Sequence, residues 1–322
     1  MEAKDEELLL RYKAQVEKVL REMEYRDCGS AEEHRRIVDE LRCPLPAIEL
    51  FQYRPNTSGC IGALSKGSLL FKSPIEFNDP YDSMMRWDAS RIERYFYDEL
   101  YANVLSNFNL FDAESVALNI SNCYRISCFS ETCLSPIMWA HYANGGRGYC
   151  VGYELHPAFG ERLQIGEGTD VETCECSLFP VVYSKKRFDA TSALAREIEY
   201  LVAYDRGKEG DLQLDKYDKL EPYKTILFKS LDWAYEQEWR LALSGVYRNK
   251  GRDWLSVSEN VTRVIFGPKV SPNDMLAMSK SLHEYAKFVG RPVMLQQIVV
   301  DWQSDQYVFG LKNCGKVPVP SE

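Results

Sequence analysis

Apolar residues recur at Leu9, Tyr12, Val16, Val19 or Leu20 and Met23, while charged side chains fill the positions between them. A repeat of three to four residues aligns side chains along one side of a helix, so the pattern predicts an amphipathic helix over 3–26. A second short helix is expected from Ala31 to Leu41. The CPLP segment at 43–46 stops it, because proline drives its predecessor out of helical geometry. From Ile48 to Tyr53 the pattern turns extended, and Pro55, Ser58 and Gly59 then predict a loop. SLLFKSP at 68–74 predicts another strand. Helices are expected over 90–107 and 113–121, the first with Ile92, Tyr95, Phe96 and Leu100 on one face.

The middle of the chain alternates short strands and helices. YRISCFS at 124–130 is β-prone, and SPIMWAHYA from 135 has a serine cap followed by proline at the first helical position. NGGRG breaks that helix. YCVGYEL at 149–155 predicts a strand, as does LFPVVYS through Ser184, where Pro180 suits a strand start or edge. Two helices follow, one with Leu194, Ile198, Leu201 and Val202 on its apolar face. The other, roughly 216–231, carries Leu220, Tyr223, Leu227 and Leu231. They lead into WAYEQEWRLAL at 233–243. VTRVIFG at 261–267 predicts a strand, Ser271 and Pro272 open a capped helix, and PVMLQQIVV forms the last predicted strand.

With no repeat or long linker, residues 46–322 read as a single α+β domain, a mixed or antiparallel sheet core with surrounding helices. Residues 1–45 form an N-terminal helical extension. It either packs on the body or offers a surface to a partner, including a second copy in a homo-oligomer.

Composition narrows the function classes. The 322 residues are 45% hydrophobic and 27% charged, the profile of a folded globular protein. A formal net charge of −9 opposes broad nonspecific nucleic-acid binding, which needs a dense array of Lys and Arg. MEAKDEELLL lacks a basic start and a long apolar core, and no stretch is apolar enough to span a membrane. The expectation is a cytoplasmic protein with no membrane partner. Without an export signal the ten cysteines are read as reduced thiols. Cys123, Cys128, Cys133, Cys174 and Cys176 do not follow the paired spacing of zinc ligands, so no metal is assigned to them.

The densest chemistry lies in WAYEQEWRLAL. As a strand it sets Glu236, Glu238 and Arg240 on one face and Gln237, Trp239 and Leu241 on the other. As a helix it makes Glu236 and Arg240 a surface pair worth about 0.3–0.5 kcal/mol. Asp79, Asp82 and Glu238 together would suit a divalent cation and a nuclease or phosphoesterase. Asn78 and Asp79 before Pro80 equally suit a turn. His141 is a candidate base for Cys128 or Ser130 as nucleophile. SGCIG and NGGRG lack the form and context of a phosphate-binding glycine loop.

The ordered set LFKSPIEFNDPYDS, CFSE, IMWAHYANGGRGYCVGYEL, KSLDWAYEQEWR and VIFGPKV resembles the bacterial domain-of-unknown-function 2971 family over about residues 50–268. This places the polar and aromatic segments in one domain without implying an activity. At the level of arrangement, the chain is also similar to ADP-ribosyltransferases of the arginine–serine–glutamate type. That similarity implies NAD as a substrate and a macromolecular acceptor, protein or nucleic acid, as for a bacterial toxin or defence protein.

By the same similarity, Arg54 grips phosphate and Ser127 or Ser130 supports the ribose pocket. Glu238 holds the ribose hydroxyl and stabilises an oxocarbenium-like transition state, and Glu236 orients or deprotonates the acceptor. Lys229 or Arg240 would assist with phosphate, though Arg240 could equally neutralise Glu238. The expected cleft gathers Tyr53, Arg54, Asn78, Asp79, Ser130, His141, Glu236, Glu238 and Arg240. A metal-dependent nuclease and a non-enzymatic binding or interaction module are the alternatives.

Overall fold

The structure is a computed structural model that describes residues 3–22, 36, 41, 46–82, 85–95, 123–157, 161–167, 170–205, 207, 221–244, 254–255, 260–305 and 307–319. Helix α1 (Ala3–Glu22) follows the predicted amphipathic stripe. Tyr12, Val16, Val19 and Leu20 enter the main hydrophobic cluster, and the Tyr12 ring stacks on Trp239 with centroids 6.4 Å apart. The apolar face of α1 is therefore spent on the body of the protein. Leu20→Ala is expected to lower unfolding free energy in a denaturant titration by about 2–5 kcal/mol, since a buried leucine leaves a cavity. A change within about 0.5 kcal/mol, the size of an ordinary surface substitution, would mean that α1 does not dock there. The helix expected at 31–41 lies outside the described residues except for Arg36 and Leu41.

One large sheet organises the rest. Its strands are β1 (Ile48–Arg54), β3 (Tyr124–Ser130), β4 (Tyr149–Leu155), β5 (Glu161–Glu167), β6 (Asp170–Pro180), β9 (Glu238–Ser244), β11 (Val261–Phe266), β12 (Val293–Val300) and β13 (Phe309–Val317). They lie in the order β13-β12-β11-β4-β1-β3-β9-β6-β5. Every neighbouring pair is antiparallel except β11 with β12. The architecture is thus α+β with a mixed, mostly antiparallel sheet, as the pattern predicts. Two small ribbons lie apart from it: β2 (Leu69–Leu70) with β10 (Trp254–Leu255), and β7 (Val182–Ser184) with β8 (Phe228–Ser230). Among the described residues no helix is long and apolar enough to cross a membrane.

Helices surround the sheet. They are α2 (Ser58–Leu64), α3 (Ala89–Tyr95), α4 (Pro136–Tyr142), α5 (Thr191–Asp205), α6 (Glu221–Leu227) and α7 (Pro272–Val289). Helix α4 begins as its sequence dictates, with the Ser135 side chain accepting from the Met138 amide and Pro136 in the first turn. Helix α2 replaces the loop expected after Pro55. Thr57 caps it by accepting from the Cys60 amide, which offsets the weak helical preference of two glycines. Helix α3 is the described part of the helix expected at 90–107, and the one at 113–121 lies outside the described residues. The single helix expected over 216–231 is instead α6, β8 and the beginning of a 3₁₀ turn.

Two local features set the surroundings of β1. First, β1 meets β3 only at Phe51 opposite Ser130, whereas β1 pairs with β4 along its whole length. Lys72 occupies part of the resulting opening. Its backbone exchanges hydrogen bonds of 2.9 and 2.8 Å with Ile126 of β3. The strand expected at 68–74 is therefore β2 plus this one bridge. Second, the NGGRG segment reverses tightly after α4, with Asn144, Gly145 and Gly146 at φ of 49°, 63° and 83°. Gly148 then passes so close to β1 that a Cβ there would lie 2.2 Å from the Arg54 carbonyl oxygen. Only glycine permits that approach.

Candidate active site

Glu236 and Glu238 come together by a route other than a continuous strand. Leu231–Glu236 forms a 3₁₀ helix, Gln237 turns left-handed at φ 46°, and β9 begins at Glu238. The Ser230 side chain starts the turn by accepting from the Asp232 amide. The two carboxylates converge as the strand reading of this stretch requires, although the strand begins only at Glu238. Ser130, at the end of β3, fixes the turn by donating from Oγ to the Glu236 carbonyl at 2.7 Å.

Lys229 joins the two acids. Its Nζ lies 2.5 Å from Glu236 Oε2, 2.9 Å from Glu238 Oε2 and 3.5 Å from Asp82 Oδ2. Arg240 lies behind, completely buried. It binds Asp82 through both terminal nitrogens at 2.8 and 2.6 Å, and Glu238 through Nε at 2.8 Å. Its Nη1 also donates to the Ile226 carbonyl at 2.5 Å. Three acids and two bases thus form one buried network, in which each charge gains partners that offset its loss of water.

The two glutamates are driven in opposite directions. Burial and the neighbouring Glu238 charge raise the pKa of Glu236, outweighing Lys229 and the Tyr142 hydroxyl, which donates to Oε1 at 2.5 Å. Burial would raise Glu238 too, but Arg240 and Lys229 prevail and hold its carboxyl well below the usual range. Such a split assigns proton exchange to one member of a pair and fixed charge to the other. Burial, then the Glu236 contact, raises Tyr142, so its phenol stays protonated.

A depressed native pKa stabilises the fold above the unfolded-state value and is lost as pH falls. The Glu238 contribution should therefore weaken progressively below about pH 4.3, the ordinary glutamate value. Urea midpoints measured against pH should decline less steeply for Glu238→Gln than for wild type in that acid window. Parallel curves would remove Glu238 as the source.

The acids open onto a cleft of about 210 Å³. Arg54, Ser130, Glu236 and Glu238 all line it, together with Tyr53, Asn78, Asp79, Asp82, Lys229, Lys72, Tyr142 and Trp233. Three expected members are elsewhere. Ser127 sits three residues from Ser130 on β3, so alternation sends it to the opposite face, where its Oγ accepts from Gln52 Nε2 at 2.9 Å. His141 is exposed outside the cleft wall, with Nδ1 3.2 Å from the Tyr235 hydroxyl. Arg240 lies behind the wall as the counter-ion of Asp82 and Glu238.

Arg54 reaches the cleft but has a structural task. It is 2% exposed, donates to Gln52 Oε1 at 2.8 and 2.5 Å and to the Ser68 carbonyl at 2.8 Å, and meets the Tyr153 hydroxyl at 2.6 Å. Tyr53 is likewise engaged, donating to the Thr132 carbonyl at 2.9 Å. Asp79 accepts from the Tyr81 amide at 2.8 Å, the turn role open to it from sequence. Among the described residues no group of three or more His, Cys, Asp or Glu is placed to hold a metal ion. The described cysteines are free thiols.

Sequence reasoning did not foresee Tyr142, Trp233 or Lys72 as cleft residues. The first two had a usable signal, since Tyr142 ends the predicted α4 and Trp233 opens the glutamate segment. Lys229 Nζ lies 5.1 Å from the Trp233 ring centroid, so the indole forms part of the same charged wall.

Residues 138–241 match the family model described as Protein of unknown function (DUF2971), which bears out the resemblance to that family over a narrower span than 50–268. The matched segment contains Tyr142, Lys229, Glu236, Glu238 and Arg240, while Arg54, Lys72, Asp82 and Ser130 lie before it. No curated protein and no solved structure matches the chain.

Proposed function

We propose that the chain is an NAD-using ADP-ribosyltransferase acting on a macromolecular acceptor. The reading is supported above all by one observation: Arg54 of β1, Ser130 of β3 and Glu238 of β9, on three successive strands of the sheet, line one cleft with Glu236. The cleft is smaller than the roughly 300–1,000 Å³ of a site that encloses a drug-sized ligand, which suits the nicotinamide-ribose end of NAD with the rest extending outward.

In the proposed reaction the bond between nicotinamide nitrogen and ribose C1′ breaks, and its electron pair leaves with neutral nicotinamide. A lone pair of the acceptor forms the new bond to C1′, and the acceptor proton passes to Glu236, whose raised pKa suits that task. Glu238, ionised and fixed by Arg240 and Lys229, accepts a ribose hydroxyl and contributes negative charge where positive charge develops. Tyr142 and Lys229 orient Glu236, and Ser130 holds its backbone.

The nuclease alternative is less well supported. A divalent cation at Asp82 and Glu238 would have to displace Arg240 and Lys229, which already neutralise both acids. The test is transfer of label from NAD to protein and nucleic-acid acceptors by wild type and Glu236→Gln. Wild-type protein that neither releases nicotinamide nor labels an acceptor overturns the proposal.

A further inference from the structure

We propose that Lys72 forms an anion subsite in the cleft, one that takes the diphosphate of a nucleoside diphosphate-containing substrate. The inference rests on the transferase reading for the identity of that substrate, but the subsite itself rests on the geometry of β1, β3 and the segment between them.

The similarity to arginine–serine–glutamate transferases implies that Arg54 grips phosphate. In the structure Arg54 has other partners as well. The Arg54 guanidinium ties Gln52, the Ser68 carbonyl and Tyr153 together inside the protein. Turning it toward a ligand would abandon buried hydrogen bonds made by a charged group, which are stronger than neutral ones.

Lys72 has the opposite character. Its backbone is pinned to β3 by the two bonds to Ile126 across the opening left by β1. Alternation along the segment buries Phe71 and Ser73 and sends Leu70 and Lys72 to the cleft wall. The residue is half-buried, and no carboxylate among the described residues neutralises it. Lys229, the other lysine of the cleft, is held by three acids. Lys72 is thus the lysine left to meet an incoming anion. Lysine suits phosphate as a point charge, and a fixed backbone with a flexible stem gives it reach at low cost to the fold.

Three acids of the site already have cationic partners. Asp82 and Glu238 face Arg240 and Lys229, and Glu236 faces Lys229 and Tyr142. Glu76 and Asp79 also line the cleft, and their carboxylates accept from the Ser73 and Tyr81 amides, each at 2.8 Å.

Calorimetric titration of the full chain with inorganic pyrophosphate and with ADP-ribose tests the subsite. Lys72→Gln should weaken both by about tenfold and flatten the dependence of affinity on salt. Lys72→Arg should retain most of the binding. Lys312→Gln, on exposed β13, should leave both affinities unchanged and so control for net charge. A wild-type protein that binds neither probe, or a Lys72→Gln protein that binds both as wild type does, overturns the inference. Lys72-dependent binding without transfer of label from NAD would retain the subsite and reject the transferase. Transfer with an NAD KM unaffected by Lys72→Gln would retain the transferase and reject the subsite.

Discussion

Glu236→Gln is expected to lower label transfer from NAD by about 10²–10⁴-fold while the protein remains folded. The substitution keeps the shape and an oxygen able to accept from Tyr142, and removes the carboxylate able to take the acceptor proton. Lys229 retains Glu238 and Asp82, so the loss of one partner leaves no bare buried charge. Glu238→Ala is a poorer probe, because it would leave Arg240 and Lys229 sharing fewer anions in a dry site. The change should fall on kcat more than on the KM for NAD, since the proposed proton comes from the acceptor. Transfer at the wild-type rate would remove Glu236 from the chemistry.

Arg240→Ala is expected to destabilise the protein by about 3–5 kcal/mol in equilibrium unfolding, the scale for breaking one side of a buried ion pair. Its removal strands Asp82 and Glu238 beside a single lysine and frees the Ile226 carbonyl from its bond. Arg240→Met combined with Asp82→Asn should recover part of the loss, because the stranded charge goes with its partner. If Arg240→Ala unfolds at the wild-type denaturant concentration, the network is not formed as described.

Much of the sheet was legible because its strands are coded locally. YRISCFS and YCVGYEL carry β-branched and aromatic residues, and their bounds coincide with β3 and β4. The serine–proline starts of α4 and α7 were equally clear, since a cap acts within four residues. Strand β13, with the sequence FGLKNCGKV, carried little such signal. Its two glycines and polar middle weaken intrinsic preference, and pairing with β12 supplies the order.

The site was legible in part for the same reason. Two glutamates separated by one residue announce themselves, and so does the arginine beyond them. The partners that decide their chemistry do not. Asp82 lies 158 residues from Arg240, and the Tyr142 hydroxyl meets Glu236 across 94. Nor does the sequence disclose that Gln237 adopts a left-handed conformation, which brings Glu236 to Lys229 without a continuous strand. The inward contacts of Arg54 are hidden in the sequence for a related reason. An arginine at a strand end does not announce that Gln52, Ser68 and Tyr153 bind it from inside the protein.

The strand order also bears on how the chain can be divided. Residues 138–241 include β4, β5, β6 and the start of β9, yet β1 and β3 intervene between β4 and β9 in the sheet. The stretch that carries the family's signature is therefore not one continuous piece of the sheet, because β4 joins β9, β6 and β5 only through β1 and β3, which are encoded upstream. Excised alone, it would expose four edges of the large sheet's strands, where that sheet has two among the described residues.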